Sequence, residues 1–489
     1  MATTADYLNK LIEQKNTLAD NLVTKGVTAT HEETLETLVP KVLDITSGNN
    51  ESVYPIGEDG SPSGDVFVPL NVINLSDRLF KSNNNVQNIV FSEGLLSIKN
   101  SGCSGMSNLE TIYLPSSFKT FEASSFYDCR KLTTINNMEN LSGLSIGNSA
   151  FYQCFQLSND TINELIEKSN TIGDSAFYRC TSLTEVITPN AGNGCFNSCT
   201  GLKKATVTST NTSGGFGAYL FANCTSLEEV ILPSEYTSIP NQMFYKTKIS
   251  NFIIPASCTS IGQNAFAYTP LTTLSIDENA SFSLGNGAFQ YCNSLTGEIV
   301  QSLIEHASSL DRSVFTNCNS LVNITVKFAS FECFRQCENL VYAKILQPLN
   351  GIICGSMFVY CTKLETCILP EGATIIENAV CGNCTSLKTV YLPSSLTSDK
   401  NNYLKTYNGA HVLYNCTALE DVQVGKDWNM SLYLAMSNNL TIDSMVAMFN
   451  NLKDLTGETA KTLTLGTTNL AKLSDEQKAI ATNKNWTLA

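Results

Sequence analysis

The sequence predicts an α+β repeat solenoid: about fifteen stacked coils with one short strand each, a helical hairpin in front and a cap behind. Three observations predict it. The first is a recurring pattern, F-x-x-C-x-x-L-x-x-V-x-L-P, complete at Phe221-Ala-Asn-Cys224-Thr-Ser-Leu227-Glu-Glu-Val230-Ile-Leu232-Pro233. It returns at Phe177, Cys180, Leu183 and Val186, at Phe358, Cys361, Leu364, Leu369 and Pro370, and at Cys384, Leu387, Val390, Leu392 and Pro393. The second is even spacing. The phenylalanine slot falls at 80, 103, 126, 151, 177, 196, 221, 244, 266, 289, 315, 334, 358, 381 and 413, with Cys103, Cys381 and Leu413 replacing the phenylalanine. A unit of this size cannot bury its apolar side chains alone and must bury them against its neighbours. The third is length, because 489 residues exceed what one compact core serves.

Residues 1–46 read as a helical attachment or oligomerisation module. Leu8, Leu11, Leu18 and Leu22 recur at helical spacing, and Gly26 ends the run. Thr30 with Glu33 signals the start of a second helix, which carries Leu35 and Leu38 and is kinked or broken by Pro40. So short a hairpin leaves an apolar stripe that seeks a partner. Residues 47–71 are rich in turn formers and read as a linker.

The solenoid is expected over residues 72–425. Each coil places its strand at L-x-x-V-x-L, with period-two alternation and a proline stop such as Pro115, Pro255 or Pro370. A later Ile-Gly, as at Ile172-Gly173 and Ile261-Gly262, reads as the turn toward the next phenylalanine. Two coils depart together. Leu157–Lys168 and Leu295–His306 replace the strand with a helical pattern at an offset of 138 residues, which implies a duplicated block. Residues 440–452 repeat that helix, and residues 426–489 read as the cap that an open solenoid end requires.

Eleven of the eighteen cysteines share one slot of the repeat: Cys129, Cys154, Cys180, Cys199, Cys224, Cys292, Cys318, Cys337, Cys361, Cys384 and Cys416. Met106, Thr247 and Thr269 fill the same slot elsewhere, so a thiol is not obligatory. A reduced, structural column of small side chains is the expectation, with bridging as the alternative. The one C-x-x-C pair, Cys381 with Cys384, falls on two slots of the repeat and has neither a second such pair nor spaced histidines to complete a ligand set, so no metal and no cofactor is expected.

A net charge of −14 argues against nucleic-acid binding. The start of the chain does not read as an export signal, and no apolar run suits membrane insertion. Catalytic motifs are missing as well. Glu185 and Glu229 could share a strand face, but solvated strand charges explain them better than a catalytic pair. The reading is therefore a non-enzymatic binding protein. Its ligand-surface candidates are the outward strand positions Tyr113, Ile187, Ile231, Ile253, Tyr342, Ile368 and Tyr391. Cross-strand pairing within the sheet is the competing account of the same residues.

The repeat grammar, as in Ile172-Gly-Asp-Ser-Ala-Phe177-Tyr-Arg-Cys180-Thr-Ser-Leu183, resembles the BspA-like leucine-rich repeat family. That resemblance implies a solenoid that binds proteins or surfaces without catalysis. The ends resemble another group. Leu18–Ile45 is similar to an N-terminal helical module of bacteriophage tail-associated proteins, and Leu463–Trp486 to the C-terminus of phage proteins carrying such repeats. This resemblance implies a phage tail or virion-surface component, with a host cell-surface protein or glycan as partner. Residues 1–46 would join other virion proteins, in a homo-oligomer. A bacterial cell-surface adhesin of the same repeat family and a purely structural virion decoration protein are the alternatives.

Overall fold

The computed structural model describes residues 4–24, 29–32, 34, 63–70, 72–189, 191–208, 216–399, 401–406, 408–409 and 411–489. Contacts divide the chain into two units, Met1–Tyr54 and Pro55–Ala489.

In the first unit, helix α1 spans Thr4–Thr24. Leu22 and Ala19 are buried on it, and they cluster with Leu18 and Ala29. Leu8 and Leu11 fall within α1, but their side chains lie outside the described residues, as do Leu35, Leu38 and nearly all of the expected second helix.

The second unit is a β-solenoid of stacked coils. Its long ladder begins with the parallel strands Gly64–Val68, Val86–Phe91, Thr111–Tyr113 and Thr134–Asn136. Helix α2, Asn159–Glu167, takes the strand's place in the next coil. The ladder resumes with Glu185–Thr188, Lys204–Val207 and Glu229–Ile231, and then with Asn251–Ile254 and Thr273–Ile276. Helix α3, Gly297–Glu305, interrupts again. Five strands follow: Asn323–Val326, Tyr342–Ile345, Thr366–Ile368, Thr389–Leu392 and Asp421–Val424. The two helices have equal length and sit at the 138-residue offset that the sequence implies. Each starts on a hydroxyl cap, Ser158 accepting from the Thr161 N–H and Thr296 from the Ile299 N–H.

Two expectations are corrected. The linker read over 47–71 ends early, since Gly64–Val68 already pairs with Val86–Phe91, with a register shift between Gly64 and Asp65. Val66 and Val68 are buried there, and their alternation is hidden among the flanking turn formers. The coils also hold more than one strand. A second parallel ladder runs through Asn74–Leu75, Ser97–Ile98, Thr120–Phe121, Leu144–Ile146 and Ser169–Ile172, and reappears at Ser238–Ile239 and Ser260–Ile261. Most of these strands are two residues long, too short to show alternation. The isoleucine of Ile-Gly therefore ends a strand, buried at Ile261 and half-buried at Ile172. The glycine is needed for close approach: a Cβ on Gly173 would lie 2.7 Å from the Asn148 nitrogen, and one on Gly262 2.7 Å from the Asn241 nitrogen.

Around each phenylalanine the chain makes a third inter-coil ladder. The N–H groups of Ser124, Phe126 and Asp128 donate to the carbonyls of Asn148, Ala150 and Tyr152 in the next coil, at 2.8, 2.8 and 2.7 Å. Residues two before and two after the phenylalanine hold positive φ, as at Ser175 (55°) and Arg179 (58°) around Phe177. Such backbone costs roughly 1–2 kcal/mol for a residue with a Cβ, and the repeated hydrogen bonds hold it in place.

The rings themselves form a column from Phe126 through Phe151, Phe177, Phe196, Phe221, Phe244, Phe266, Phe289, Phe315 and Phe334 to Phe358. All are buried, with neighbouring centroids 5.3–6.3 Å apart. Beside it runs the cysteine column, and all eighteen cysteines are free thiols. The slot wants more than small size. The Cys154 thiol donates to the Phe126 carbonyl at 3.2 Å, Cys224 to Phe196 at 3.1 Å and Cys361 to Phe334 at 3.1 Å. Thr247 and Thr269 donate instead to the Phe244 and Phe266 carbonyls of their own coils, at 2.9 and 2.7 Å. Each is a small side chain with a donor set against a buried carbonyl.

At the C-terminal end, helix α4 (Ile442–Asn450) packs on the last long-ladder strand. A small parallel sheet of Leu432–Tyr433, Lys461–Thr464 and Trp486–Leu488 follows, with helices α5 (Thr467–Leu470) and α6 (Asp475–Thr482) between its strands. Lys484 binds the end of α4, donating to the carbonyls of Phe449, Asn450 and Leu452 at 3.0, 2.8 and 3.0 Å.

Candidate functional site

The outer face of the long ladder follows from the pleat. In Glu185–Thr188 the side chains of Val186 and Thr188 are buried, while Glu185 and Ile187 are exposed. Parallel register then aligns like positions. Ile187 pairs with Thr206 and Thr206 with Ile231, forming one column, and Ile253 pairs with Ser275. Ile187, Ile231 and Ile253 are 55%, 45% and 70% exposed, far from the near-zero exposure of core isoleucines. Further along, Thr325, Lys344, Ile368, Tyr391 and Gln423 align in the same way.

The other candidates are more enclosed. Tyr113, Tyr342, Ile368 and Tyr391 are half-buried. Tyr342 belongs to the neighbouring column, paired with Asn323 and Thr366. The Tyr391 hydroxyl donates to the Glu371 carboxylate. Burial, reinforced by that hydrogen bond, pushes its phenol up to about 12.

The two carboxylates weighed as a catalytic pair are separated by a cation. Glu185, Lys204 and Glu229 align on adjacent strands, and the Lys204 ammonium lies 3.9 Å from Glu185 and 3.3 Å from Glu229. The ammonium thus occupies the space between the two acids. Among the described residues no cluster of histidine, cysteine or carboxylate side chains could hold a metal ion. Cys129 and Cys199 are no better placed for chemistry, since burial pushes both up to about 12, whereas hydrogen bonds from Cys367 and Cys384 pull the wholly buried Cys381 down to about 5.

Helix α2 adds a feature that strand alternation could not reveal. Where it replaces a strand, the edge of Glu185–Thr188 would be left unpaired, and asparagine side chains occupy it. The Asn159 carbonyl oxygen accepts from the Thr184 and Glu185 N–H groups, at 3.1 and 3.0 Å. Asn163 accepts from the Ile187 N–H at 3.1 Å and donates to the Glu185 carbonyl at 2.8 Å. Beside this seam lies a cleft of 710 Å³, lined by residues of α2, Glu185, Ile187, Pro189 and Thr208. The displaced helical pattern was the only sequence signal for it.

A tyrosine ridge was also missed. Tyr127, Tyr152 and Tyr178, each directly after a core phenylalanine, stack at 4.7 and 4.4 Å. Tyr268 and Tyr291 stack at 4.3 Å, with the Lys246 ammonium 5.2 Å from the Tyr268 ring. The signal was the tyrosine one or two places after the phenylalanine, masked by the Asn, Ala and Gln in other coils.

The family model described as the BspA type leucine rich repeat region, in six copies, matches residues 64–184, 170–296, 283–409 and 333–455. The chain belongs to the BspA-type leucine-rich repeat family. Its solved relatives include a leucine-rich repeat protein from Bacteroides ovatus ATCC 8483, 21% identical over 77% of this chain and 94% of that one, with a TM-score of 0.51. A leucine rich cell surface protein from Faecalibacterium prausnitzii A2-165 is 17% identical over 76% and 92%, at a TM-score of 0.36. A leucine-rich repeat protein from Eubacterium ventriosum ATCC 27560 is 14% identical over 75% and 87%, at 0.35. The first of these likenesses establishes the fold and nothing beyond it. No curated protein matches the chain. The BspA-type match indicates no catalytic family. Among the described residues no helix is long and apolar enough to cross a membrane.

Proposed function

We propose that this BspA-type chain is a bacteriophage tail or virion-surface protein, in which the outer face of the long ladder recognises the host cell surface. The observation that carries a binding role is the exposure of Ile187, Ile231 and Ile253, three large apolar side chains on the outer face of the ladder. Exposed apolar patches mark interaction sites. The ligand would be a cell-surface protein or glycan, and Tyr113, Tyr342, Ile368 and Tyr391 would extend the contact along the ladder. Residues 1–46 would attach the chain to other virion proteins as a homo-oligomer, followed by a linker, about fifteen coils and the cap over 426–489. The particle assignment rests on the resemblance of residues 18–45 and 463–486 to phage proteins.

A second reading, a bacterial cell-surface adhesin of the same repeat family, is compatible with the family match over the solenoid. Deleting residues 1–46 and measuring both particle incorporation and cell binding separates the two. Loss of incorporation with cell binding retained supports the virion reading. Absence of the undeleted parent from purified particles, with its binding to cells intact, sinks it in favour of the adhesin.

A further inference from the structure

The cleft beside α2 has a composition of its own. Its apolar part is Ile187 and Pro189, both exposed, with Ile166 beneath. Asp160, Glu164, Glu167 and Glu185 line it, and among the described residues no lysine or arginine does. Glu167 and Glu185 have only distant lysine partners, Lys168 at 3.7 Å and Lys204 at 3.9 Å. Among the described residues, Asp160 and Glu164 form no ion pair. The adjacent strand edge is already occupied by Asn159 and Asn163. A ligand therefore cannot enter by adding a strand to the Glu185–Thr188 edge and must be held by its side chains.

The duplicated block supplies an internal comparison. Shifting by 138 residues carries Asp160 to Glu298, Glu164 to Ser302, Glu167 to Glu305, Glu185 to Asn323, Ile187 to Thr325 and Pro189 to Lys327. The fold is the same at both places, a nine-residue helix capped by a hydroxyl and followed by a strand. The second copy keeps two of the four acids, gains a lysine and loses the apolar floor. The charge and the apolar surface at α2 are thus not demanded by the fold.

We propose that the α2 cleft seats an extended cationic segment of a partner protein, its lysine or arginine side chains against Glu164 and Glu167 and an apolar side chain on Ile187 and Pro189. The cleft's volume falls within the range of about 300–1,000 Å³ typical of ligand sites. The inference rests on the binding role proposed for the ladder face and specifies the partner's chemistry at one end of the Ile187–Ile231 column.

The test uses the full chain and two fluorescein-labelled hexapeptides, Lys-Val-Lys-Val-Lys-Val and Glu-Val-Glu-Val-Glu-Val, followed by fluorescence anisotropy at low and high salt. The basic peptide should bind, the acidic one should not, and salt should weaken binding, since exposed charges are screened over about 10 Å at 0.1 M. Glu164→Gln with Glu167→Gln should raise the Kd at least tenfold with an unchanged melting profile. Glu298→Gln with Glu305→Gln, at the duplicated position, should leave it within twofold. Equal binding of both peptides, no binding of either, or equal losses in the two double variants would overturn the proposal. Labelled full chain on host cells distinguishes its failure from that of the wider reading. If cells bind Glu164→Gln/Glu167→Gln as they bind the parent, the cleft assignment falls and surface recognition stands. If cells bind neither protein while the peptide discrimination holds, surface recognition falls and the cleft assignment stands.

Discussion

Phe221→Ala removes one ring from the middle of the phenylalanine column, and its consequence can be worked from the packing. Phe221 has no exposed surface and stacks on Phe196 at 5.9 Å and on Phe244 at 6.3 Å, with interplanar angles of 12° and 11°. Truncating a buried phenylalanine costs about 3–5 kcal/mol in lost transfer energy and cavity. Each stacked ring pair is worth about 0.5–1.5 kcal/mol beyond area, so two lost pairs place this variant at about 4–8 kcal/mol. Little relaxation is available, because the Phe221 N–H also donates to the Met243 carbonyl and fixes the coil to its neighbour. Stability in a solenoid is a sum of coils and interfaces, so a loss at both interfaces of one coil should also divide the unfolding transition. Urea unfolding followed by circular dichroism reads both effects, as a lower midpoint and a split or shallower transition. Phe221→Leu is the control. Leucine already fills this slot at Leu413 and keeps most of the apolar volume, so its cost should be confined to the two lost ring pairs, about 1–3 kcal/mol and below that of Phe221→Ala. A loss under about 2 kcal/mol for Phe221→Ala, with a single sharp transition, would show that the rings do not form a closed column.

Native protein should react with a thiol reagent at no more than one site per chain, because only Cys354 of the eighteen cysteines is not buried; in denaturant all eighteen should react. Several thiols reacting in the native state would contradict the packed column. Lys484→Met leaves three carbonyls at the end of α4 without their cation and should destabilise the C-terminal region by about 2–3 kcal/mol, read as earlier hydrogen exchange in 442–489. His411 takes up its proton at lower pH than a surface histidine does. Burial pulls it down to about 4. The geometry agrees, since Nδ1 accepts from the Leu413 N–H at 3.1 Å, leaving Nε2 to donate to the Leu404 carbonyl at 3.2 Å, so a second ring proton would meet a donor. The folded state thus binds its proton more weakly than the unfolded chain does. Stability from this group is full above pH about 6.5 and is lost as pH falls toward 4, by up to about 3 kcal/mol. Urea midpoints at pH 7.5, 5.5 and 4.5 should fall less steeply in His411→Leu than in the parent.

The phenylalanine and cysteine slots declare their positions because each coil repeats them, and repetition shows in a single sequence. Helices α2 and α3 were legible for the same reason, as a 3.6-residue pattern breaking a two-residue one. The short ladder was not, because a strand such as Ser238–Ile239 offers one buried side chain and no period. The donor role of the cysteine slot was hidden too, since the accepting carbonyl belongs to the coil before. Of the candidate site, Ile187, Ile231 and Ile253 followed from alternation alone. The bridging of Glu185 and Glu229 by Lys204 needed the inter-coil register, which spacing leaves ambiguous by a residue. The acidic cleft combines α2 with a strand of the following coil, and no linear motif joins them.

The central claim is that the outer face of the long ladder binds a bacterial surface. Its most direct test is the binding of labelled full chain and of Ile253→Asp to a panel of candidate host bacteria. Ile253 is 70% exposed, so the substitution should leave the melting profile unchanged. The account predicts strain-selective binding by the parent and its loss in the variant. Undiminished binding by Ile253→Asp, or no binding by the folded parent to any strain, would contradict it.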